Sequence, residues 1–158
     1  MDAPRISIVT PSLNQAEFLE AALESIHSQD YPNLEHIIID GGSTDGSLAV
    51  LERWAPKLAF LQSRPDGGQT DALIQGFARA TGEILAWLNA DDLLEPGALA
   101  EVAVFFSDHP ADRFVFGDSC WIDRMGRIAR QKREMPFVRF IWLRTYDYIP
   151  QPSAFWKR

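Results

Sequence analysis

The sequence predicts an α/β fold: a mostly parallel sheet with flanking helices. Three observations predict it. Strand-like and helix-like segments alternate four times across residues 1–107. The strand-like runs, such as "HIIID" at 36–40, are continuously apolar, which is the pattern of strands covered on both faces. The chain has 158 residues, 46% of them hydrophobic, a length that suits one domain able to bury roughly 70% of its unfolded surface.

Ile6 to Val9, within "ISIVTPSLN", form the first strand, which Pro11 is expected to stop. In "AEFLEAALESIHSQ", Phe18, Leu19, Ala22, Leu23 and Ile26 recur at helical spacing. Asn14, with Glu17 three residues on, resembles a capping box for that helix. Glu35 to Ile39 form the second strand, ending at Asp40, and a helix over roughly 45–54 puts Leu48, Leu51 and Trp54 on one side. "KLAFLQS" is a third strand, and "QTDALIQGFARATG" a third helix with Gly82 as its expected stop. "EILAWLN" is the fourth strand, and Pro96 fits the first turn of a fourth helix carrying Leu99, Val102, Ala103 and Phe106. Beyond residue 107 the rhythm changes. "RFVFGD" reads as a strand, "CWIDRMGRIAR" as a hairpin turning at 124–126, and the remainder is rich in aromatic residues.

The net charge of −7 argues against non-specific binding to nucleic acid or anionic membrane. Cys120 is the only cysteine, so an intrachain disulfide and a thiolate zinc cluster are excluded. "MDAPRIS" is not a signal peptide, and no apolar run approaches the roughly 18 residues of a membrane span. The expectation is a cytoplasmic chain, at most peripheral at the inner face of the membrane.

The unusual residues collect at strand ends, where open parallel sheets bind their ligands. Strand one ends in Thr10, Pro11, Ser12 and Asn14; strand two in Asp40, Gly41, Gly42, Ser43, Thr44 and Asp45. "SRPDGGQTD" follows strand three, with Asp66 and Asp71 around two glycines, and strand four ends in Asn89, Asp91 and Asp92. A ring of carboxylates without basic residues suits a hard divalent cation, which in turn recruits an anion such as a diphosphate. Each signal also has a plainer reading. Asp91 and Asp92 fit a pair at a helix start, Asp40 fits a cap, and Asn14 and Ser43 read as caps before ligands. His27, His36 and His109 read as structural, and Trp54 and Trp87 as core. Neither G-x-x-x-x-G-K-[ST] nor G-x-G-x-x-G occurs.

These residues carry a resemblance. "SIVTPSLNQAEFLEAALESIHSQDYPNLEHIIIDGGSTDGS" and "DGGQTDALIQGFARATGEILAWLNADDLLEPGAL", with the later "FGDSCWIDRMGRI" and "PQPSAFWKR", resemble the family 2 glycosyltransferases over nearly the whole chain. The resemblance implies the nucleotide-diphospho-sugar transferase (glycosyltransferase A) fold. It also implies an inverting, metal-dependent transfer of sugar from a nucleotide-diphosphate sugar to an acceptor hydroxyl. Pro11 with its neighbours Thr10, Ser12 and Asn14 would line the nucleotide. Asp40, with Gly41 and Ser43, would sit by the base or ribose, and Asp66, Gly68, Asp71, Asn89 and Asp92 would complete the donor site. Asp91 would hold manganese or magnesium against the diphosphate.

The sequence departs from the family pattern at three places. Asn89 replaces the first acid of the D-x-D-like triplet, "DGGS" stands where many members have two acids in a row, and Ile74 stands where many have Asn. The family's catalytic base lies beyond the segment resembling "PQPSAFWKR", and the sequence ends at Arg158. Asp118 and Asp123 are candidates by default only, so the base is unknown.

The expectation is a single domain over 1–158, C-terminally truncated, with nucleotide-binding βα units at 1–107 and a hairpin and partial acceptor-side region at 108–158. Partners would be a nucleotide sugar and a saccharide or lipid-linked acceptor, in polysaccharide biosynthesis at the cell envelope, with a homo-oligomer or peripheral membrane association as further expectations. Phe137, Phe140, Trp142, Tyr146 and Tyr148 read as core before acceptor platform or dimer face. Two rivals stand beside the transferase. One is a catalytically impaired donor-binding or regulatory module of the same fold. The other is a phosphotransferase suggested by "IIIDGGSTDG", for which 158 residues leave no room for a second phosphate turn and a duplicated domain.

Overall fold

A computed structural model describes residues 3–134 and 149–158. Its strands are β1 (Ile6–Ser12), β2 (Leu34–Asp40), β3 (Phe60–Ser63), β4 (Ile84–Trp87), β5 (Phe114–Phe116), β6 (Ser119–Ile122), β7 (Ile128–Lys132) and β8 (Ala154–Lys157). The α-helices are α1 (Ala16–His27), α2 (Ser47–Trp54), α3 (Gln69–Phe77) and α4 (Ala98–Asp108). Six strands form one sheet in the order β3-β2-β1-β4-β8-β5. The first four are parallel, and β8 runs antiparallel between β4 and β5. This is the mixed, mostly parallel sheet with flanking helices that the sequence predicts. The five aromatic residues singled out between 137 and 148 lie outside the described residues.

Alternation along β1 explains its continuous apolar run. Ile6 and Ile8 face one way and pack with Ile84 and Ala86 against Ile26 of α1 and Leu99 and Phe106 of α4. Val9 faces the other way and packs with Ile37, Ile39 and Leu85 against Ala72 of α3. Ile38 lies on the first face beside Leu19 and Leu23 of α1 and Val50 and Leu51 of α2. Helices therefore cover both faces and every residue of β1 is buried. Two of the buried polar side chains within it, Ser7 and Thr10, are paired. The Ser7 hydroxyl donates to Glu35 and accepts from Gly82 N–H, and Thr10 Oγ1 lies 3.0 Å from His36 Nε2.

Several expected boundaries are corrected. Pro11 does not stop β1: it pairs with Ile39, and the strand runs to Ser12. Val9 C=O accepts from Leu88 N–H, so odd-numbered residues of β1 direct their backbone groups towards β4. The β4 ladder ends at Val9, so the donor that Pro11 lacks falls where no strand needs it. Asn14 and Glu17 form no capping box. Asn14 has a φ of 53°, and its side-chain carbonyl accepts from Thr44 N–H. The first turn of α1 is held from another loop, where Asp45 Oδ2 accepts from Ala16 N–H and Ser47 Oγ from Gln15 N–H. Ser43 caps neither helix.

Helix α2 starts at Ser47 rather than 45 because Gly46 is left-handed and Asp45 bonds the Ser47 amide. Leu48 faces solvent; Val50 is buried beside Leu51 in its place. Helix α3 stops at Phe77, so Gly82 is not its terminus. A β-carbon on Gly82 would lie 2.7 Å from Ser7 N and 2.8 Å from Arg5 O, so glycine is there for close approach to β1. Pro96 precedes α4 instead of entering its first turn, with left-handed Gly97 between. The hairpin is as expected: β6 and β7 are antiparallel, and Gly126 N–H donates to Asp123 C=O across the turn.

Candidate active site

The parallel register aligns the ends of three strands. Ser12 pairs with Asp40, and Asp40 with Ser63, so a polar row crosses the carboxyl edge of the sheet. Above it opens a cleft of about 340 Å³, lined by Pro11, Ser12, Leu13, Gln15, Gly41, Asp66, Gly68, Gln69, Ala72, Asn89, Ala90 and Asp91. The carboxyl edge of the sheet is where the sequence placed the site. Seven expected residues line the cleft: Pro11, Ser12, Gly41, Asp66, Gly68, Asn89 and Asp91.

The other expected residues lie around the cleft. Thr10 is buried beneath it, bonded to His36. Asp40 is fully buried. Its carboxylate accepts from Gly42 N–H, Ser43 N–H, Ser43 Oγ and Ser63 Oγ. A buried carboxylate needs such donors, and here they fold the "DGGS" turn. Gly42 sits in that turn at a φ of +85°, where a β-carbon would also meet Pro65 N at 2.9 Å. Asn14 and Ser43 bond each other, the Ser43 hydroxyl accepting from Asn14 N–H at 2.8 Å. Asp71 accepts from Gly67 N–H and from Gln75, both at 3.0 Å. Asp92 accepts from Asn89 Nδ2 at 2.9 Å. Burial, and then the neighbouring Asp91, push its carboxyl above the ordinary range, while the Asn89 bond opposes them.

The expected ring of carboxylates is therefore reduced. Asp40 and Asp71 are engaged by backbone and amide donors, which leaves Asp66 and Asp91 on the cleft. Asp66 accepts one bond, from Gly68 N–H, and a β-carbon on Gly41 would approach its Oδ1 to 3.2 Å. Asp91 is exposed and has no hydrogen-bond partner among the described residues. No group of three or more His, Cys, Asp or Glu residues suited to a metal occurs among the described residues. This donor set does not form an all-protein cage. It fits magnesium or manganese, which takes one or two carboxylates and completes its shell with water and phosphate oxygens. Ser12 also lines the cleft, but its Oγ is buried and has no hydrogen-bond partner among the described residues.

Leu13, Gln15, Gln69, Ala72 and Ala90 also line the cleft and were not singled out from the sequence. Gln69 stands inside the glycine-rich stretch "DGGQTD", which was the available signal; small or apolar lining residues carry none. Ile74, at the family's Asn position, is exposed on α3. Asp118 Oδ1 accepts from Glu134 N–H. Asp123 accepts from Met125 N–H and from Arg127, whose side-chain bond first and backbone bond second hold its carboxyl below the ordinary range. No helix among the described residues is long and apolar enough to cross a membrane.

The model of the family described as "Glycosyl transferase family 2" matches residues 7–156. An uncharacterized glycosyltransferase of Mycobacterium tuberculosis is 34% identical over 155 residues, covering 97% of this chain and 58% of that protein. A PGL/p-HBAD biosynthesis glycosyltransferase of Mycobacterium bovis is 41% identical over 122 residues, covering 75% of this chain and 48% of that protein. Among solved structures, a mannosyltransferase of Pyrobaculum calidifontis in complex with GDP-Man and Mn2+ is similar with a TM-score of 0.65 and 31% identity. That match covers 78% of this chain and 37% of the solved one. The chain thus spans about half the length of the curated relatives it matches.

Proposed function

Since the chain belongs to the family 2 glycosyltransferases, we propose that its cleft binds a nucleotide-diphosphate sugar together with Mn or Mg, for inverting transfer to an acceptor hydroxyl. The observation that carries this reading is Asp91, an acid beyond the end of β4 without a hydrogen-bond partner among the described residues, on a cleft beside which Asp40 and Asp71 are internally bonded. A cation on Asp91 would supply Lewis-acid stabilisation of the departing diphosphate. Asp91 would hold that cation, with Asp66, which also lines the cleft, as the second available carboxylate. The glycines at 41 and 68 leave the backbone open to the nucleotide. The mannosyltransferase solved with GDP-Man and Mn2+ supports this pairing of nucleotide sugar and metal. The acceptor we propose is a saccharide or lipid-linked acceptor, the class that membership of this family implies.

Calorimetry with UDP- and GDP-sugars, with and without Mn, tests the reading. Binding that requires the cation supports it; no binding of either sugar nucleotide in the presence of Mn overturns it.

A second reading is favoured by Asp118 and Asp123. Both carboxylates accept from backbone amides in or beside the hairpin, Asp123 being engaged at both oxygens and Asp118 at Oδ1, so neither stands as an unengaged base. On this reading the chain binds donor and metal but transfers slowly or not at all. Acceptor-dependent turnover of roughly 1 per second or faster would refute it.

A further inference from the structure

The hairpin of β6 and β7 forms a sheet of its own, and its chemistry differs from that of the rest of the chain. Residues 119–134 hold five cations, Arg124, Arg127, Arg130, Lys132 and Arg133, against two acids, Asp123 and Glu134. The segment therefore carries +3 within a chain of −7. It also exposes large apolar side chains: Trp121 is 61% exposed, Met125 77%, Ile128 56% and Ile122 38%. Ile122 pairs with Ile128 at the last rung before the turn, so these groups gather towards the tip. Cations are interleaved with them. Arg124 precedes Met125, Arg127 precedes Ile128, and the Arg130 guanidinium lies 5.8 Å from the centre of the Trp121 ring.

The hairpin belongs to the same edge of the molecule as the cleft. Strand β8 is antiparallel to both β4 and β5, so β5 runs parallel to β4. Its carboxyl end at Phe116 therefore reaches the edge above which the cleft opens, and the hairpin begins at Ser119. Near the tip, Arg124 lies 3.8 Å from Glu17 in the first turn of α1, which follows β1 at that edge. Both side chains are more than half exposed, so this pair is weak and does not consume the charge of Arg124. In the order β1-β4-β8-β5 the hairpin thus reaches from β5 towards the start of α1, past the end of β4.

We propose that this hairpin docks the chain on an anionic lipid bilayer. Trp121, Met125 and the Ile122–Ile128 pair enter the boundary between headgroups and acyl chains, and the interleaved cations meet the headgroup phosphates. The interleaving favours a bilayer over a protein partner. The centre of a protein interface is depleted of charge, whereas an anionic bilayer sets a charged layer directly against an apolar one. The acidity of the remaining chain opposes flat adsorption and leaves the hairpin as the contact. Docked in this way, the cleft edge faces the lipid, where a lipid-linked acceptor presents its hydroxyl; that consequence rests on the transferase reading of the cleft.

Flotation of the full chain, free of nucleotide, with vesicles tests the proposal. One set is phosphatidylcholine alone, the other equal parts of phosphatidylcholine and phosphatidylglycerol. The chain should bind the mixed vesicles, leave them as salt is raised, and ignore phosphatidylcholine alone. Arg130→Gln with Arg133→Gln should weaken binding about tenfold or more. Met125→Ser, at an exposed turn position, should weaken it about fourfold or more and serves if the double variant fails to fold. Brominated acyl chains should quench tryptophan emission in the wild type and less in Trp121→Phe. No binding to the mixed vesicles would overturn the proposal, as would equal binding by the wild type and the hairpin variants. Dimerisation that Met125→Ser abolishes, without vesicle binding, would assign the surface to a second copy and overturn it too. A chain that docks on vesicles yet binds no sugar nucleotide with Mn would uphold the docking and overturn the transferase reading instead.

Discussion

Gly76 of α3 lies so close to Val9 of β1 that a β-carbon on it would come within 2.3 Å of Val9 Cγ1. Val9 is fully buried and β-branched, so it has little freedom to turn away. Gly76→Ala therefore sets a gain of about 1 kcal/mol in helix propensity against overpacking worth about 1–3 kcal/mol. The expected net result is destabilisation by up to about 2 kcal/mol, read from the urea midpoint at unchanged slope. Because α3 carries Gln69 into the cleft, nucleotide affinity should fall too. An unchanged midpoint would show that helix and strand are not in this contact.

Ser12 should behave in the opposite way. Its hydroxyl is buried and unpartnered, so Ser12→Ala removes a desolvated polar group at no loss of a bond. Thermal stability should hold or rise, while affinity for a nucleotide sugar stays unchanged. A loss of stability with unchanged affinity would mean that the hydroxyl serves the fold.

His36 makes stability depend on pH. It is buried between Thr10 and His27, its Nδ1 3.0 Å from His27 Nε2. Burial first, and the neighbouring His27 second, push it down from 6.5 to about 3. The neutral ring is thus the native form, and its contribution is complete above pH 6.5 and lost as pH falls through this window towards 3. The loss should amount to about 4 kcal/mol at the acid end. Denaturation curves between pH 7 and 4 should show stability declining in the wild type and a flatter profile in His36→Gln. Equal slopes would contradict the assignment.

Asp45 tests the cap supplied to α1 from the β2–α2 loop. Hydrogen bonds from the Ser47 hydroxyl, then from the Ala16 and Ser47 amides, hold its carboxyl down at about 2. This stabilisation is present above its unfolded value of 3.8 and lost as pH falls through 2. Asp45→Ala should lower the melting temperature at pH 7 and remove part of the acid sensitivity below pH 4. Amide exchange at Ala16 should accelerate, and no change there would show that the cap is not formed in solution.

The sequence made the layered architecture legible because both faces of the sheet are apolar, and such a run has few alternatives. The edge above which the cleft opens followed from parallel strands alone. What the sequence hid was which way individual side chains turn. Asp40 and Asp91 look alike as strand-end acids. One is buried, however, and organises a turn through four donors, and the other stands open to the cleft. That difference depends on Ser63 and the amides at 42 and 43 arriving together, which only the fold arranges. Pro11 misled for a related reason, since a proline ends a strand only where its missing donor is needed. Gln151 and Asn89, 62 residues apart, meet through the return of β8 beside β4, a pairing that local sequence does not encode.

The central claim is that Asp91 binds a cation and, through it, a diphosphate. A crystal grown with manganese and a GDP- or UDP-sugar tests it most directly. The account predicts a metal ion about 2.1 Å from an Asp91 carboxylate oxygen, sharing its shell with phosphate oxygens above Ser12 and Gly41. Clear density for the sugar nucleotide elsewhere, with Asp91 turned to solvent and this cleft empty, would contradict it.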